Sequence, residues 1–117
     1  MSSGNTSDYR KVALAFTKLL ALRDYLPAYT MTSQEYRNKA TMEQMQASFE
    51  TIVPTDWGGI ENIEVGHTMT TWPGKKSSDL GWVYVSIGGN VYCEAVTVVV
   101  SSDNCEAKIR EVEFGRP

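Results

Sequence analysis

Residues 81–101 read GWVYVSIGGNVYCEAVTVVVS. Two runs of β-branched and aromatic residues flank Gly88-Gly89-Asn90, which predicts an antiparallel hairpin. A turn at Gly88-Gly89 sets Val85 opposite Tyr92, and a turn at Gly89-Asn90 sets it opposite Glu94. Both registers give the same faces, because directly opposed residues share one. Val83, Val85 and Ile87 fall with Tyr92, Glu94, Val96, Val98 and Val100. Trp82, Tyr84 and Ser86 fall with Cys93, Ala95, Thr97 and Val99.

Working outward, residues 62–69 alternate Ile63, Val65, His67 and Met69 with Asn62, Glu64, Gly66 and Thr68. That is a strand with one apolar face, ended by Trp72-Pro73-Gly74. A fourth strand is predicted over 106–114, after a turn at Ser102-Asp103-Asn104. There Val98 meets Ile109, but Val112 and Phe114 then fall on the other face. A bulge near Arg110 would return them to the core, and the direction of the Arg110 side chain stays open.

The first half has the helical period instead. Tyr9, Val12, Ala13, Phe16, Leu19 and Leu20 line one face of a long helix, with Ser7 as a cap and Asp8 in its first turn. A short helix follows within 24–31, where Pro27 is tolerated only in a first turn. Thr32 or Ser33 starts another short piece. Thr41-Met42-Glu43-Gln44 fits a capping box, and Met42, Met45, Phe49, Ile52 and Val53 keep the period to Pro54. The expected class is α+β: N-terminal helices packed on a four-stranded antiparallel sheet, one domain over 8–117 after a polar tail, 1–7.

The chain has 117 residues and a net charge of -3, enough for one core. Lys75-Lys76 is only a pair, so no basic patch points to nucleic acid. No apolar run approaches the ~20 residues of a membrane span. Cys93 and Cys105 have no zinc spacing, and His67 is the only histidine. Neither metal nor cofactor is expected. Eight residues of strand span ~27 Å, against under ~7 Å between the Cα atoms of a disulfide, so these cysteines are expected free. With no export signal in the sequence, the expected compartment is the cytoplasm.

Phe16-Thr17-Lys18-Leu19-Leu20 followed by Asp24-Tyr25-Leu26-Pro27-Ala28-Tyr29 resembles the first two helices of the nuclear transport factor 2-like, or cystatin-like, superfamily. Thr32-Ser33 and the helix through Met45 and Phe49 fit as well. The resemblance covers nearly the whole chain through motifs of low specificity. It implies one long and two shorter helices on a strongly bent sheet, a cone with a pocket at its open end. The family's usual helix between the first two strands is missing from this sequence.

Three functions are compatible with these patterns. The first is a non-catalytic module for a small apolar ligand or a protein, working as a homodimer. Trp82, Tyr84, Ala95, Thr97 and Val99 make the second sheet face apolar, and a second copy would cover it. The second is an isomerase- or dehydratase-like enzyme. Glu94 stands among valines, where burial raises a carboxylate's pKa, and His67 would share its pocket for proton transfer. The third is an inhibitor- or immunity-type interaction protein using the acidic surface. Trp57, Trp72, Tyr84, Tyr92, Glu94 and His67 are the candidate ligand-lining residues. A Glu94 at the strand's end, wet or paired with Arg110, is the structural alternative, as is a hydrogen-bonded His67.

Overall fold

A computed structural model describes residues 8–57, 60–89 and 93–115, apart from the Trp57 side chain. Among the described residues, four α-helices precede the sheet: α1 (Tyr9–Ala21), α2 (Tyr25–Thr30), α3 (Gln34–Lys39) and α4 (Met42–Ile52). A 3-10 turn, Thr55–Trp57, leads into β1 (Ile60–Met69), β2 (Asp79–Gly89), β3 (Cys93–Asp103) and β4 (Glu106–Phe114). Among the described residues the helices number four, the two short pieces after α1 both being helical, which corrects the one long and two shorter helices that the resemblance implied. The text between α1 and α4 divides in two because Met31 and Thr32 leave the helical path to meet β4.

Each helix end has a local cause. α1 begins at Asp8, whose carbonyl accepts from the N–H groups of Lys11 and Val12; Ser7, expected as the cap, lies outside the described residues. It ends in a Schellman motif, with Arg23 N–H on Leu20 O and Asp24 N–H on Leu19 O. The left-handed position there is Arg23, at φ 62. Its guanidinium donates to Val53 O at 3.0 Å and lies over the Phe49 ring, which offsets the strain of a side chain in that region. α2 and α3, six residues each, are too short to hold by propensity alone. Tyr25 OH donates to Glu50, Tyr29 OH to Ala40 O, and the Ser33 hydroxyl accepts from Tyr36 N–H. α4 carries the expected capping box of Thr41 and Gln44.

The sheet is antiparallel in the order β1-β2-β3-β4. Its inner face packs on the helices. Phe16, Leu20, Met45 and Phe49 are fully buried against Val83, Val85, Ile87, Val96, Val98, Val100 and Ile109. Each such side chain contributes roughly 1.5–3 kcal/mol by leaving water. Gly81 opposes Val100 on this face, and a Cβ there would overlap the ring of Tyr9. The glycine lets the first turn of α1 lie directly on β2.

Val85 pairs with Val96 and Ile87 with Glu94, so the connection is longer than either expected turn; Asn90 lies outside the described residues. The shift keeps parity, and the expected faces hold. In the last hairpin Val98 meets Val112 and Val100 meets Ile109, with the register shift at Arg110. The bulge near Arg110 that the sequence left open is present, and it corrects the expected partner of Val98 from Ile109 to Val112. The turn moves to Asn104 and Cys105, at φ 54 and 67, as a two-residue primed turn requires.

One expected face is wrong. Val65 pairs with Val85, but His67 pairs with Tyr84. Gly66 is the extra residue of a bulge, which turns everything after it over. His67 and Met69 therefore lie on the outer face, and Thr68 takes the inner one opposite Val83.

Candidate binding site

The outer face of β2–β4 has a polar centre built by two bulges on either side of β3. Asp79 pairs with Ser101, and the register shift at Leu80 sets Gly81 on Val100. Across β3, Arg110 is the extra residue between Ile109 and Glu111. Both side chains are thereby directed to the outer face, over buried Ser101. Arg110 Nε donates to Asp79 Oδ1 at 2.7 Å and Nη2 to Oδ2 at 2.6 Å. Bidentate pairing of this kind is the strongest form of the Arg–carboxylate contact.

The Asp79 side chain is fully buried and that of Arg110 is 6% exposed. Burial alone would raise the carboxyl of Asp79. The hydrogen bonds from Arg110 and from Lys76 N–H, with the charges of Arg110 and Lys75, outweigh it and hold the group below the ordinary value. The same bond to Asp79 pushes Arg110 upward, against its burial.

A cleft of about 490 Å³ opens beside this pair. Glu35 and Lys39 of α3 and the 72–76 loop form its walls, and β4 contributes Arg110, Glu111 and Glu113. Trp82, Thr97 and Val99 are its sheet residues, with Trp72 facing them from the loop. Lys76 ties the walls together: its N–H donates to Asp79 at 2.8 Å and its Nζ to Glu35 at 2.8 Å. That hydrogen bond comes first among the causes that lower Glu35, ahead of the charges of Lys76, Arg110 and Lys39 and against a smaller effect of burial. Arg110 Nη1 stands 3.7 Å from Glu35 and 3.6 Å from Glu111. Among the described residues it makes no hydrogen bond, but both carboxylates hold it within ion-pair range at the cleft.

The residues expected to form a site are not gathered. Glu94 is half-buried on the inner face at the end of β3. His67 is exposed on the outer face, its ring edge-on to Trp82 at 5.9 Å. The Gly66 bulge separates them, so they form no proton-transfer pair. Arg110 pairs with Asp79 and not with Glu94. Tyr84 is half-buried beside His67; Tyr92 and the Trp57 side chain lie outside the described residues. Of the five residues expected at a dimer interface, Ala95, Thr97 and Val99 are 5% exposed or less. Small side chains between Trp82, Tyr84 and the long residues of β4 are covered by the chain itself. Only Trp82 and Tyr84 offer area to a partner.

Cys93 and Cys105 are free and exposed. Among the described residues, no group of three His, Cys, Asp or Glu is placed to hold a metal, and no helix is long and apolar enough to cross a membrane. The sequence flagged Trp72 and the Arg110 bulge. It did not single out Glu35 or Lys76. Comparison with protein-family models, curated proteins and solved structures found no match.

Proposed function

We propose that the chain is a non-catalytic binding module whose site is the outer-face cleft between Trp72, Trp82 and Arg110. The observation that carries this reading is a cleft lined by two indoles and a buried guanidinium whose Nη1 is ion-paired to Glu35 and Glu111 but makes no hydrogen bond among the described residues. The space beneath the sheet, by contrast, is filled by Phe16, Leu20, Met45 and Phe49. The lining charges are Lys39, Lys76 and Arg110 against Glu35, Glu111 and Glu113, so no net field favours a strongly charged ligand. A neutral ligand with a carbonyl acceptor and a flat apolar group suits the set, and a segment of polypeptide with an aromatic side chain has both.

Enzyme chemistry through His67 and Glu94 has no support in their positions on opposite faces. A homodimer through this face would rest on Trp82 and Tyr84 alone, and it would close the cleft. Within the same proposal the chain is a compact branch of the nuclear transport factor 2-like superfamily. The long first helix under a bulged antiparallel sheet supports that kinship.

Calorimetric titration with a panel of blocked aromatic dipeptides tests the function. Saturable binding is expected for at least one member. Trp82→Ala weakens it about tenfold, the loss of one stacked aromatic contact, and Glu94→Gln leaves it unchanged. Binding that depends on Glu94 and ignores Trp82 would overturn the proposal.

A further inference from the structure

The two edges of the sheet are treated differently. β4 is closed at its middle by the segment between α2 and α3. Ile109 N–H donates to Met31 O at 2.8 Å, and Ser33 N–H donates to Ile109 O at 2.7 Å. No such cover lies on β1 among the described residues. Among the described residues, no backbone hydrogen bond joins Ile60–Met69 to any segment other than β2. Its ten residues contain neither proline nor lysine, two of the usual blocks against pairing at an open edge, and the register shifts at Glu61 and Gly66 leave residues 62–65 as its regular stretch.

The edge has further features that a docked strand would use. Glu64 stands exposed on the outer face, opposite Ser86, while Ile63 lies on the inner face, opposite Ile87. Beside the start of the strand a largely apolar groove of about 450 Å³ runs between Ile60, Ile63, Ala21 and Leu22. Leu22 is 74% exposed, the highest value among the large apolar side chains described. Glu61 and Lys18 border the groove.

We propose that the β1 edge is a strand-docking site for an extended segment of a partner polypeptide that alternates basic with apolar side chains. Main-chain pairing continues the sheet past β1. Alternate side chains of an incoming strand point to opposite faces. Its basic residues meet Glu64 on the outer side, and its apolar residues meet Ile63 and the groove beside Leu22 on the inner side. A second copy of this chain is the poorer occupant. It would bring its own Glu61 and Glu64 to the same edge, and like charges across a strand pair oppose it. This site is separate from the Trp72–Trp82 cleft and does not depend on it.

Two-dimensional NMR of the chain titrated with a blocked peptide alternating lysine and valine tests the proposal. Shifts are expected in β1 and the C-terminal turn of α1, with slowed amide exchange on the outward side of β1. The same peptide with glutamate for lysine binds about tenfold more weakly, and backbone N-methylation abolishes binding. Glu64→Lys, an exposed change that leaves the core intact, weakens the lysine peptide about fivefold. Shifts centred on Trp72 and Trp82, equal binding of the two charge versions, or no shift would each overturn it. So would shifts of β1 that grow with protein concentration alone, because the occupant would then be a second copy.

Discussion

Removing Arg110 strands the Asp79 carboxylate in a buried position, and that is why this pair dominates at the residue scale. Arg110→Ala is expected to cost about 3–5 kcal/mol, the usual result of breaking a buried ion pair. Replacing both partners together, Asp79→Leu with Arg110→Met, is expected to cost much less, since no charge is left without a partner. Denaturant unfolding of the single and double variants checks both statements. The pair also sets a pH dependence. Asp79 is lowered in the folded chain, so the unfolded chain takes up this proton first as pH falls. The contribution is complete above the ordinary aspartate value of 3.8 and is lost as pH drops through the folded value. An acid unfolding series should show that loss in the native chain, and Asp79→Asn should lack this part of it while starting from a lower stability.

At the scale of the element, the bulges at Gly66, Leu80 and Arg110 and one turn decide what the sheet presents. The β3–β4 turn places Asn104 and Cys105 in the left-handed region. Asparagine tolerates that conformation, and cysteine does so at a cost near 1 kcal/mol. Cys105→Gly creates the Asn-Gly pair that such a turn prefers. It should stabilise the chain by about 0.5 kcal/mol after the added freedom of the unfolded state is counted, seen as a higher thermal midpoint.

The bulges mark where the sequence is legible. Ile109 and Val112 could not both face the core without an extra residue, so the apolar pattern raised a bulge near Arg110 without deciding it. At Gly66 nothing clashed, because His67 and Met69 continue an apolar alternation that the inserted glycine silently turns over. Asp79 was unreadable as a partner because it meets Arg110 across an intervening strand, and no local pattern records that meeting. The Thr41 capping box and the parity of Val83 to Val100 were readable because each depends only on neighbours in the chain or across one hairpin.

At the scale of the whole molecule, the order of elements follows from where the apolar periods change, from the helical one before Pro54 to the strand one after Ile60. The helices fill the centre of the inner face, where Val83, Val85, Ile87, Val96, Val98 and Val100 are fully buried. The cleft could not be foreseen in the same way. It needs α3, the 72–76 loop and β4 to converge, and Lys76 is the residue that joins them through Asp79 and Glu35.

The most direct test of this arrangement is side-chain NMR of the two cleft indoles and the Arg110 Nε–H during titration with a binding aromatic dipeptide from the panel. The account predicts that Trp72, Trp82 and Arg110 shift together while the amides of Val83, Val85 and Ile87 stay in place. Movement of those inner-face amides with the cleft signals unchanged would contradict it, and would place the ligand beneath the sheet.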